Sequence, residues 1–273
     1  MVPTSASKAS ARNSLAFVLG LTVVCQLVAE GSYHLLTASG LRQRMPSLVA
    51  MEIPPALGGL VVPYLVIRLV YGKTLAAFGV HGWKPGRRTG AWLLGASAAT
   101  LAAWAAIWVA LFGMLSLVSR GGAEVPMTCA RLAQANPLAR LLGSTPAQAS
   151  SRDYVVHVFL TVGFAEELFG RGLLVNALEP RYGRVWRRGR WPLKKSTVLA
   201  ALLFAAWHIQ YMKGFRTFLV TVATSMTIVV VPSLLLTVVY DKTRSLAATI
   251  VLHNVIDGGK LLVWYIVGRL FVG

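Results

Sequence analysis

Acidic residues are scarce in this chain: 9 Asp and Glu stand against 27 Lys and Arg, and charges of either sign make up only 13% of its 273 residues. A chain that is also 56% hydrophobic, with a mean hydropathy of +0.63, lacks the polar surface that a soluble domain needs. Cysteine is nearly missing as well. Cys25 lies in an apolar run and Cys129 in a long connection, with no CxxC spacing, so neither a disulfide framework nor a cysteine zinc cage is implied. There is no HExxH, the signature of zinc peptidases, and no GxSxG; the nearest approach to the latter, "GASAA" around Ser97, has no evident histidine partner. No repeat of fixed period is visible.

Apolar runs of about 20 residues, the length that crosses a ~30 Å hydrocarbon layer, recur along the chain. Broken at polar and Gly/Pro positions, they predict helices near 14–36, 47–71, 90–119, 153–178, 197–213, 215–240 and 245–269. The expected fold is all-α, a polytopic transmembrane bundle of seven to eight helices, the count depending on whether Gly258, Gly259 and Lys260 split the last one. Pro54, Pro55, Pro63 and Pro232 should kink their helices. One integral membrane domain, 1–273, is expected. Lys8 and Arg12 ahead of an apolar run resemble a signal peptide, but the run is long and no small-x-small cleavage site follows, which favours a retained first helix. The connector "FGVHGWKPGRRTG" (78–90), with its His81, reads as interfacial, and the connection from about 120 to 150 as a loop, partial lid or re-entrant segment.

The net charge of +18 does not signal nucleic acid, because the basic residues fall in short loops rather than on one face or tail. On alternate sides of the seven-helix arrangement they number 16 against 9, a bias that puts the N-terminus in the cytoplasm.

Against this background, "FAEELFGRGLL" (164–174) is out of place. At about 2.5–3.5 kcal/mol for each intramembrane charge, Glu166, Glu167 and Arg171 together burden one helix by roughly 8 kcal/mol. Glu167 and Arg171, at i and i+4, can pair on one face. Glu166 projects about 140° from Arg171 and needs a partner from another helix. Two later spans offer one: "FAAWH" ends in His208, and "HNVID" carries His253, Asn254 and Asp257. Counted at ~1.5 Å per residue from the same membrane face, Glu166, His208 and Asp257 fall at a depth of about 17–18 Å and His253 at about 12 Å. Phe204 sits one turn before His208 and Asp257 one turn after His253, each on its histidine's face. Convergence on a polar cavity sealed from lipid is expected.

At these residues the sequence resembles the CPBP family of intramembrane proteases, which includes the type II CAAX prenyl endopeptidases and the Abi proteins. The family's motifs EExxxR, FxxxH and Hxxx(N/D) correspond to Glu166–Arg171, Phe204–His208 and His253–Asp257, in family order and within 150–260. The resemblance implies peptide-bond hydrolysis at a membrane-anchored protein or peptide, with Glu166, His208, His253 and Asp257 catalytic and Glu167, Arg171, Phe204 and Asn254 supporting. It also implies a multi-pass protein, as in a bacterial inner membrane, and a glutamate-activated water without metal. The last motif position is Asn in the prenyl endopeptidases and Asp257 here. Asp257 must then be protonated, orient His253, or cede oxyanion donation to Asn254. A metal-dependent variant, with zinc held by the same residues, is the runner-up. A proton- or ion-coupled transporter and a noncatalytic membrane partner are further readings. His34 and His157 read as packing or interfacial residues, the tryptophans as packing or interfacial belts, and Glu30 and Glu52 as residues that snorkel or line a cavity.

Overall fold

The structure is a computed structural model that describes residues 12–45, 53–80, parts of 91–106, 161–187, 193–209, four residues within 214–222, and 225–271, without the side chains of 260–271. His81, Cys129, His157, Glu52, most of the expected third helix and the connection at 120–150 lie outside the described residues.

The protein is an all-α helical membrane bundle. Helix α1 (Leu15–Ala38) starts at Ser14, whose hydroxyl accepts a hydrogen bond from the Phe17 amide at 3.2 Å, satisfying one of the free donors of the first turn. Helix α2 (Ile53–Val70) carries Pro54 and Pro55 in its first described turn, where the missing amide donor is harmless, and passes through two π-helical stretches, Ala56–Val61 and Val66–Val70. Both α1 and α2 are long and apolar enough to cross a bilayer.

The two helices meet at small residues. A side chain at Gly58 would strike the Cys25 carbonyl and Ala29 of α1, and one at Gly59 would strike Ala165 of the next helix. Without a hydrophobic force between helices in lipid, such close backbone approach supplies the van der Waals contact that holds them.

Helix α3 (163–182) contains Gly163–Glu167, a fully buried π-helical stretch Leu168–Val175, and Asn176–Tyr182. Asn176 Nδ2 donates to the carbonyls of Arg171 and Gly172 at 3.1 and 2.8 Å, serving acceptors where the helix changes pitch. A short antiparallel pair, β1 (Val185–Arg187) with β2 (Leu193–Lys194), leads into α4 (Lys195–Trp207). Helix α5 (225–243) joins Ser225–Val229 to Val230–Thr243, and α6 (Leu246–Phe271) follows.

The structure settles one open alternative and corrects one boundary. The last helix is not split: α6 runs unbroken through Gly258 and Gly259, and Gly259 leaves room for the Leu101 side chain, so that glycine serves packing rather than a break. The fifth helix is shorter than 197–213. It ends at Trp207, and His208 is its cap rather than an interior residue.

Three ends are tied together at one end of the bundle. Glu179 of α3 receives both guanidinium nitrogens of Arg244, which caps α5 in the left-handed region at φ 51°. Lys194 bridges Glu179 and Asp241 at 2.6 and 3.1 Å, and Thr197 of α4 donates to Asp241 at 2.8 Å. This network fixes how far α3, α4 and α5 slide past one another.

Candidate active site

Glu166 and Glu167 are adjacent on α3 and therefore face different neighbours. Glu167 is fully buried; its Oε1 lies 2.8 Å from Arg171 Nη1 and 2.7 Å from Nδ1 of His253 on α6. The expected i,i+4 ion pair is present, and it also grips a histidine. Arg171 extends the frame: its Nη2 donates to the Ser233 carbonyl and hydroxyl of α5, each at 3.0 Å, and its guanidinium lies 4.6 Å from the Phe204 ring centroid of α4. One arginine thus links three helices. A buried charge persists in such a place only when paired and hydrogen-bonded.

His208 is aimed by a local backbone change. At the end of α4 its amide bonds to the Ala205 carbonyl at 3.1 Å, which leaves the Phe204 carbonyl to take the His208 ring nitrogen Nδ1 at 2.9 Å. A carbonyl only accepts, so Nδ1 carries the hydrogen and Nε2 is presented to the interior. The Phe204 ring packs edge-on against the imidazole with centroids 4.8 Å apart, as the FxxxH spacing suggests.

His253 is aimed the same way by different means. Its Nδ1 donates to the Glu167 carboxylate, and its Nε2 lies 3.6 Å from Glu166 Oε2 and 3.4 Å from Asp257 Oδ2. Glu166 Oε2 is also 3.6 Å from His208 Nε2. One carboxylate oxygen therefore stands at equal distance from two imidazoles, each oriented by its other nitrogen. The gaps exceed a direct hydrogen bond and suit a small polar molecule seated beside the three atoms.

All the residues singled out in the three motifs come together. Asp257 takes the place beside His253 that suits an orienting carboxylate. Asn254 is placed by Gly163: a side chain there would collide with Asn254 Oδ1, so the glycine one turn before Glu167 allows α6 to close on α3. Gly170 likewise makes room for the Phe204 ring. Among the described residues no group of three or more His, Cys, Asp or Glu is arranged to hold a metal ion.

A cavity of ≈ 280 Å³ opens from Glu166 and His208 toward the N-terminal helices. Gln26, Glu30 and Tyr33 of α1, Pro54 and Pro55 of α2, and Trp207 of α4 contribute to its wall. Of the two readings open for Glu30, the cavity-lining one holds. Sequence reasoning did not single out Gln26 or Ser233, and it read Trp207 with the other tryptophans as packing or interfacial. Trp207 does pack on Phe169 and Phe204, and it lines the cavity as well. The only available signal for Gln26 was that it and Glu30 stand at i and i+4 in an otherwise apolar span.

Carboxylates and imidazoles from three helices meet beside a cavity, an arrangement able to transfer protons. In comparison with known families, residues 151–259 match the family described as type II CAAX prenyl endopeptidase Rce1-like. The matched residues include all three motifs, and the match supports a peptide hydrolase of membranes. No curated protein and no solved structure matches the chain.

Proposed function

We propose that the protein is an intramembrane endopeptidase that hydrolyses a peptide bond of a membrane-anchored protein or peptide, using water activated by Glu166. The observation that carries this reading is the equal 3.6 Å separation of Glu166 Oε2 from the Nε2 atoms of His208 and His253. A water held between Glu166 and His208 loses a proton to Glu166 as its oxygen attacks the scissile carbonyl carbon. Charge then develops on the carbonyl oxygen, where a protonated Nε2–H of His253, with Nδ1 held by Glu167 and Asp257 alongside, donates to it. Glu166 returns the proton to the departing amine nitrogen as the C–N bond breaks.

The same reading needs no metal. Nδ1 of His208 and of His253 is committed to a protein acceptor, which leaves the two Nε2 atoms to hold the water and the carbonyl oxygen by hydrogen bonds, while Glu167 is taken up by Arg171 and His253. Zinc held by Glu166, His208, His253 and Asp257 is the competing arrangement, and it requires dependence on added metal.

Residues 1–273 act as one integral unit in this reading, supported by a cavity whose walls come from both halves of the chain. In the same reading the N-terminus faces the cytoplasm, which the excess of Lys and Arg on one set of loops supports.

The test compares C-terminal and membrane-protein peptides, by mass spectrometry, in cells carrying wild-type protein or Glu166→Gln. Loss of a defined cleavage in the variant, with normal membrane insertion and no response of the wild type to chelators, is the expected result. Retained turnover in Glu166→Gln excludes its role as base, and a chelator-sensitive rate restored by zinc favours the metal-dependent alternative.

A further inference from the structure

We propose that Glu30 on α1 is a specificity-determining residue, a substrate subsite that pairs with a basic side chain near the scissile bond. This rests on the hydrolytic reading above, and deepens it.

Among the described residues, each of the other carboxylates at the site has a basic neighbour. Glu167 has Arg171 and His253, Glu166 has both histidines, and Asp257 has His253. Glu30 has none among the described residues. It is 92% buried in an apolar helix, and its Oε1 is held by a neutral partner, the Gln26 amide, at 2.8 Å. Oε2 is buried with no hydrogen-bond partner. A buried carboxylate with one oxygen unmatched is electrostatically incomplete, and a cation entering the cavity beside it completes the pairing.

The dyad is built into the site rather than incidental to it. Gln26 Nε2 also reaches the carbonyl of Ile209 at 3.4 Å, one residue past His208, so α1 is tied to the cap that orients that imidazole. Glu30 lines the same ≈ 280 Å³ cavity as Glu166 and His208. Trp207, in the same wall, has a buried indole Nε1 without a hydrogen-bond partner, a donor suited to a substrate carbonyl. An acceptor of negative charge and a neutral donor on one wall fit a peptide that offers a cationic side chain and a backbone carbonyl. A substrate with a carboxylate at that position is repelled.

The experiment uses full-length protein in lipid nanodiscs and a set of membrane peptides that differ at one position on either side of the cleaved bond. Lys, its uncharged analogue norleucine, and Glu are compared at each position. Cleavage gives kcat/KM, and peptides with a reduced, uncleavable bond give binding. At one position Lys should exceed norleucine by about tenfold in both measurements, corresponding to ~1.4 kcal/mol, with Glu weakest. Glu30→Gln should abolish that preference in both measurements, with the fold certified by thermal unfolding of the same sample; Glu30→Lys should favour Glu peptides. The proposal is overturned if Lys has no advantage at any position in the wild type, or if the advantage survives Glu30→Gln. Because binding is read separately, Lys selectivity that depends on Glu30 can stand even if Glu166→Gln retains turnover, an outcome that would sink only the catalytic assignment.

Discussion

Glu167 Oε1 sits 2.7 Å from His253 Nδ1, a contact between helices α3 and α6 that is shorter than any the two histidines make with Glu166. The second glutamate of the EE pair is thus a positioning residue as well as the ion-pair partner of Arg171. Glu167→Gln keeps the size but replaces a charged acceptor with an amide. The expected result is a fall in kcat of about 10–100-fold with KM little changed, together with a displaced pH–rate profile. A merely structural role for Glu167 would lower the amount of folded enzyme without moving that profile.

Arg171 should be the most sensitive position for stability. It is fully buried, pairs with Glu167 and donates twice to Ser233. Arg171→Met leaves the Glu167 charge without its guanidinium, and breaking a buried pair from one side costs about 3–5 kcal/mol. Thermal unfolding in detergent should show this loss, and the double variant Arg171→Met/Glu167→Gln should recover part of it.

Gly163 tests whether the closure of α6 on α3 matters for the chemistry. A methyl group there overlaps Asn254 Oδ1 on the turn that also carries His253 and Asp257. Gly163→Ala should favour the helix by up to about 1 kcal/mol in propensity yet reduce turnover at least tenfold, since displacement of catalytic groups by about 1 Å carries penalties of that order. Circular dichroism and cleavage rates on the same sample separate the two effects.

At the loop end of the bundle, Glu179 is held well below the usual carboxylate range, at about 2, first by its hydrogen bonds to Arg244, which outweigh the opposing effect of burial, and further by Lys194. The folded value lies below the unfolded one of about 4.3, so its stabilisation is fully present above that value and is lost as pH falls toward 2. Wild type should therefore unfold at a higher temperature than Glu179→Gln at pH 6, and the difference should shrink progressively between about pH 5 and pH 2. A difference independent of pH across that window would contradict the ion-pair assignment.

The membrane character, the helical class and the ordered EExxxR, FxxxH and Hxxx(N/D) residues are legible in the sequence because each rests on local facts. Apolar length, i,i+4 spacing and intramembrane charge are properties of a single helix. Their meeting was also foreseeable in outline, since Glu166, His208 and Asp257 share a depth. The orientation of the groups was not. That His208 caps its helix depends on a switch in backbone hydrogen bonding at Trp207 and His208, and FxxxH alone does not specify it.

What the sequence determined by itself is that carboxylates and imidazoles must be sheltered within an apolar helical protein, because lipid penalises each of them if left exposed. What tertiary structure decided is which partner each one received. Glu167 faces both Arg171 and His253, Glu166 faces both imidazoles, and Glu30 joins the cavity from the first helix. The physical reason is that helix crossings set by small residues, Gly58 against Ala29, Gly59 against Ala165 and Gly163 against Asn254, fix rotation and depth between segments far apart in the chain.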